Sequence, residues 1–117
     1  MSERRKFMRF NVLMDVMHTI FGNTKEKCKA CAKDLSKDGV RLSGASEIKE
    51  GTELELELKI PGDNMPVLAL GKVAWSTRVD RNRYDHGVHF KRIDNYDRAR
   101  LLDYVYNEWI RGKKDVK

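Results

Sequence analysis

Glu53 to Ile60 reads ELELELKI, a strict alternation of charged and apolar residues. On a helix, Leu54, Leu56, Leu58 and Ile60 would scatter around the axis. On a strand they share one face and the charges take the other. The stretch therefore predicts a half-buried strand, and Pro61-Gly62-Asp63-Asn64 closes it.

The rest of the chain follows the same period. Phe10 to Phe21 is rich in Val, Ile, Phe and Met and ends at the turn signal Gly22-Asn23, so it predicts a first strand. Lys25 to Lys33 alternates, with Cys28, Ala30 and Ala32 on one side and Lys27, Lys29 and Lys33 on the other. DLSKDG, Asp34 to Gly39, is a turn-type cluster, and Val40-Arg41-Leu42 is a short strand ended by Ser43-Gly44. Val67 to Arg78 sets Ala69, Gly71, Val73 and Trp75 on one parity. After a polar turn, Tyr84, His86, Val88 and Phe90 share another. Asp94 then offers an N-cap, with Asp97 three residues on, and Leu101, Leu102, Val105 and Trp109 recur at helical spacing before the stop signal Gly112. Closely spaced strands followed by one helix predict an all-β fold with a C-terminal helix. The antiparallel sheet is expected to curl into a barrel whose opening or face the helix covers.

A chain of 117 residues fits one domain. Its 24 basic and 18 acidic residues leave a net charge of +6, which favours anionic partners: nucleic acid, a phosphorylated small molecule or an acidic protein surface. The two signs are interleaved, which argues against a DNA-coating protein. No secretory signal is visible at the start. The apolar run from Val12 to Phe21 is broken by Asp15 and His18 and is too short to span a bilayer. The two cysteines make no disulfide framework. A cytoplasmic protein without membrane insertion is expected, its oligomeric state open.

Two short stretches carry chemistry. RRKFMR places Arg4, Arg5 and Arg9 together, with three residues between the last two. In a basic chain this can be a solvated tail. It can equally be an anion grip, because guanidinium is planar, permanently charged, stacks on aromatic faces and bonds phosphate or a guanine edge in pairs. DLSKDG holds Asp34, Ser36 and Gly39. Alone it reads best as a turn, with local side-chain bonds and a glycine at positive φ. As a site, the Asp34 carboxylate suits the two adjacent N–H donors of guanine. Ser36 can stand on the same side of a strand end, and Gly39 allows a tight turn beside a ligand.

Taken together, the stretches resemble the PilZ domain family, bacterial modules that bind cyclic di-GMP. The family pattern is Arg-x-x-x-Arg near the N-terminus and Asp-x-Ser-x-x-Gly after a second strand. Here these read RKFMR at Arg5–Arg9 and DLSKDG at Asp34–Gly39, and LALGKVAW and HGVHF resemble later family strands. The resemblance spans nearly the whole chain and implies a six-stranded antiparallel PilZ-like β-barrel with a C-terminal helix. It implies that residues 1–9 form a mobile arginine arm; the pattern along the chain itself gives barrel and helix over 10–112 and a frayed tail over 113–117. It implies that Arg5 and Arg9 meet guanine edges, stacking faces and phosphates, that Asp34 and Ser36 take guanine donors, and that Gly39 shapes the loop. Arg4 is implied to favour a stacked pair of ligands over one. The expected role is a cyclic di-GMP receptor that folds its arm over the ligand and signals to a separate effector in motility, attachment or exopolysaccharide control. The alternatives are a PilZ-like interaction module that does not bind the nucleotide, or a small barrel binding single-stranded nucleic acid.

The remaining candidates read as structural. CKAC (Cys28, Cys31) and HGVH (His86, His89) offer zinc-type ligands, but residues three apart on a strand face opposite ways, so no metal is expected. A buried Cys28 and a surface Cys31 are expected instead. Trp75, Tyr84, Phe90 and Trp109 read as core or packing residues. Arg78, Arg81 and Arg83 read as a solvated basic loop. There is no nucleophile elbow, phosphate loop or close acid pair, so an enzyme is not expected.

Overall fold

The computed structural model describes residues 10–22 and 26–115. Its elements are β1 (Phe10–Ile20), β2 (Cys28–Ser36), β3 (Gly39–Gly44), β4 (Glu53–Lys59), β5 (Val67–Asp80), β6 (Arg83–Ile93) and α1 (Asn95–Asp115). All neighbouring strands pair antiparallel, and the sheet closes on itself in the order β1-β2-β3-β6-β5-β4. Closure removes the two free edges that an open sheet of these strands would carry.

The alternation in β4 does what its pattern demands. Leu54, Leu56 and Leu58 are buried in the barrel, while Glu53, Glu55, Glu57 and Lys59 lie outside. Val16, Ala32, Leu35, Val40, Leu42, Val67, Val73, Val88 and Phe90 from the other strands are buried in the same core. Burial of these side chains is the main favourable contribution to folding. Helix α1 packs on β1 and β5 and adds Leu101 and Val105 to the same core.

The Asp94 carboxylate accepts the N–H of Tyr96 at 3.0 Å and of Asp97 at 3.4 Å, so it caps α1 as its sequence position predicts. Asp97 does not complete a reciprocal box; it accepts a bond from Arg100 at 2.8 Å. Arg100 also reaches Asp63 and the carbonyl of Met65, tying the loop after β4 to the helix.

Three sequence expectations are corrected. The helix does not stop at Gly112 but runs on to Asp115; Gly112 does not take a positive φ, so nothing ends the helix there. Asp34 to Gly39 is not one turn. β2 runs through Ser36 and β3 begins at Gly39, leaving Lys37 and Asp38 as the connection. Trp75 is not in the core: a register shift between Val73 and Trp75 inverts the parity of β5, and Trp75 emerges 41% exposed. Tyr84 is half-buried and Phe90 buried, as packing residues should be.

Candidate ligand site

The hairpin between β2 and β3 is built on a short register: Ser36 pairs with Gly39, Leu35 with Val40 and Asp34 with Arg41. Leu35 and Val40 point into the barrel and are fully buried, so Asp34 and Arg41 share the outer face. Neither connecting residue has a positive φ, so this is not the mirror-type turn usual for two-residue hairpin loops. Ser36 instead supports the turn from within. Its hydroxyl, only 3% exposed as a residue, accepts the N–H of Asp38 at 3.3 Å. The carbonyl of Asp38 accepts the N–H of Phe90 at 2.8 Å, which pins the hairpin tip to β6.

Gly39 serves a different purpose from the one its motif suggests. Its φ is not positive. A Cβ added there would stand 2.4 Å from the carbonyl oxygen of Val88, so glycine is needed because β3 and β6 approach closely.

Asp34 is held at the surface of this hairpin. Nε of Arg41 donates to its Oδ2 at 2.8 Å, and NH1 of the same guanidinium donates to Oδ2 of Asp85 on β6 at 2.8 Å. The two carboxylates keep Arg41 even more firmly protonated than usual; the bond to Asp34 is the larger cause. Sequence reading missed Arg41 and Asp85. Arg41 was accessible from hairpin register alone, since a two-residue connection after Ser36 sets position 41 opposite 34.

β1 also begins here. Phe10 pairs with Leu35 and Asn11 with Asp34. The first described residue of the chain is thus laid alongside the segment that carries Asp34 and Ser36. Arg4, Arg5 and Arg9, and the proposed arm of residues 1–9, lie outside the described residues, as do residues 116–117 of the expected tail.

Across the sheet, Asp34, Arg41, Gly87 and Trp75 form one row over β2, β3, β6 and β5. The Trp75 indole lies directly on Gly87, where a Cβ would meet its Nε1 at 2.1 Å. Glycine at 87 leaves room for this aromatic ring against the sheet, next to the row position of Arg41. The sequence signal for this pairing is faint, because it needs the bulge in β5.

The other candidates fall elsewhere. Cys28 and Cys31 are both free and half-buried, so the expected contrast between a buried and a surface thiol is not observed. His86 faces the interior at 2% exposure and His89 faces out. Among the described residues no cluster of His, Cys, Asp or Glu could hold a metal ion. Arg78 donates to the carbonyls of Asp80 and Arg81, bracing its own turn. No helix among the described residues is long and apolar enough to cross a membrane.

Comparison with known proteins agrees with this architecture. The family model described as the PilZ domain matches residues 3–107. The sequence matches none of the curated proteins with which it was compared. Among solved structures, the chain is similar to the Bacillus subtilis inhibitor of motility, MotI/DgrA, with a TM-score of 0.77 at 16% identity, covering 99% of this chain and 55% of that one. It is similar to the PilZ domain with c-di-GMP of YcgR from Escherichia coli, with a TM-score of 0.75 at 14% identity, covering 98% of this chain and 100% of that one. It is also similar to MrkH in the K. pneumonia MrkH–c-di-GMP complex, with a TM-score of 0.72 at 17% identity, covering 97% of this chain and 56% of that one. The chain thus spans about half the length of MotI/DgrA and MrkH.

Proposed function

This chain belongs to the PilZ domain family, and on that premise we propose that it is a receptor for cyclic di-GMP. It would act as a binding module rather than an enzyme, and pass its bound state to a separate protein. Asp34 accepts guanine N–H donors and Ser36 assists from the strand end. Gly39 keeps the hairpin close against β6. Arg5 and Arg9 take guanine edges and phosphates, and Arg4 adjusts how many ligand molecules stack.

The observation that carries this reading is the start of β1. Phe10 is paired to Leu35, between Asp34 and Ser36, and Arg9 is its covalent neighbour. Consecutive Cα atoms are about 3.8 Å apart, so the backbone of position 9 directly adjoins a residue paired beside the hairpin. The ligand carries two phosphates, and charge-assisted bonds from guanidinium offset the entropy of ordering the residues that make them. The solved YcgR domain and MrkH carry c-di-GMP in their own structures.

A second reading, a PilZ interaction module without the nucleotide, draws on the bond that Arg41 already makes to Asp34. Calorimetry separates the two. Wild type is expected to bind cyclic di-GMP in preference to GTP and cyclic GMP. Arg9→Ala is expected to lose about tenfold to a hundredfold in affinity, the range of one charged hydrogen bond, with its melting temperature unchanged. No heat from wild type at high micromolar cyclic di-GMP would leave only the second reading.

A further inference from the structure

We propose that Arg41 is a positioning residue for Asp34, anchored in turn by Asp85. The inference rests on the cyclic di-GMP reading and concerns how this chain prepares its acceptor carboxylate.

An aspartate on a strand face rotates about two side-chain bonds. To accept two parallel N–H donors from a purine, its carboxylate must lie in the plane of the base. The Nε bond to Oδ2 fixes one edge of Asp34 at 2.8 Å. A guanidinium on a long flexible side chain would be a poor anchor by itself. Asp85 supplies the second support from β6, again at 2.8 Å, so Arg41 is tied on both sides and spans three strands. Lysine, a point charge without a planar fork, does not hold two carboxylates in this geometry.

Burial makes the arrangement more than a surface ion pair. The Asp34 and Asp85 side chains are only 13% and 17% exposed, and Arg41 is 34% exposed. Removing two carboxylates this far from water is unfavourable. Asp85 also keeps Oδ1 buried with no partner among the described residues. Such a half-satisfied carboxylate destabilises the fold relative to an apolar residue. Its contribution is to hold Arg41, and Arg41 in turn holds Asp34.

The test is a double-mutant cycle on the full chain, read by calorimetry with cyclic di-GMP. Arg41→Ala is expected to weaken binding about tenfold. The double variant Asp34→Ala/Arg41→Ala is expected to bind no more than about twofold worse than Asp34→Ala alone, because Arg41 acts only through Asp34. Arg41→Lys should recover part of the loss, and Asp85→Ala, which leaves the Arg41–Asp34 bond in place, should lose about threefold. Additive losses would mean that Arg41 meets the ligand itself and would overturn the proposal, as would Arg41→Ala binding like wild type. If Arg41→Ala does not fold, Asp85→Ala decides: unchanged affinity overturns the proposal and a loss supports it. A wild type that does not bind would remove the receptor reading itself, a result distinct from any of these.

Discussion

At Gly39 a single methyl group would meet the Val88 carbonyl oxygen at 2.4 Å. That oxygen belongs to the backbone and cannot swing aside. Gly39→Ala is therefore expected to destabilise the free protein by about 1–3 kcal/mol, the usual range for overpacking, as measured by urea unfolding without ligand. Unchanged stability would show that β3 and β6 can part there. The residue types of this motif were plain in the sequence, but the reason for the glycine was not. A turn glycine with positive φ is a local inference, whereas the contact with Val88 depends on a strand nearly fifty residues away. Arg41 is the opposite case. Its partner Asp34 follows from local register, once β2 is extended through Ser36.

The elements themselves were legible wherever one face is wet and the other dry. β4 matches its alternation, and the buried parity of β6 through His86, Val88 and Phe90 matches as well. β2 is displaced toward the C-terminus because Asp34 and Ser36, turn formers by composition, are drawn into a ladder with Arg41 and Gly39. Period counting cannot detect a bulge, so it puts Trp75 on the wrong face. Helix α1 is the element whose contribution is most directly measured. Leu101 is 1% exposed and Val105 fully buried against the barrel. Leu101→Ala is expected to lower stability by about 2–5 kcal/mol in denaturant unfolding, with cyclic di-GMP affinity little changed where the fold persists. A loss under 1 kcal/mol, roughly that of an exposed helix position, would mean that the helix does not complete the core.

For the whole molecule, closure of the barrel brings together residues that no linear pattern connects. β1 and β6 are three strands apart in either direction around the barrel, so they face each other across its interior. From these two walls come His18 and His86, both buried. Burial lowers the pKa of His18 below its usual 6.5, and the neighbouring His86 lowers it further. Burial also lowers that of His86, against the opposing pull of Asp85 and Glu47. His86 accepts the N–H of Ile48 on Nε2 at 2.9 Å, which an imidazolium cannot do. The unfolded chain therefore takes up protons first as pH falls. The stability these histidines contribute is complete above about pH 6.5 and is lost as pH drops through their lower folded values. Urea midpoints should be lower at about pH 5.5 than at about pH 7.5, and His18→Gln/His86→Gln should shrink the difference. A wild-type midpoint independent of pH over that interval would contradict the assignment.

The pairing of Phe10 with Leu35 has one more consequence. Two segments that stay apart in a folded chain would have to be drawn together by whatever touched both. Here the pairing joins the start of β1 to the β2–β3 hairpin when the barrel forms, so the entropy of bringing those two segments together is spent on folding. The same ladder carries Asp34, opposite Asn11 and Arg41, so the fold alone fixes where that carboxylate stands relative to the chain's entry into the barrel.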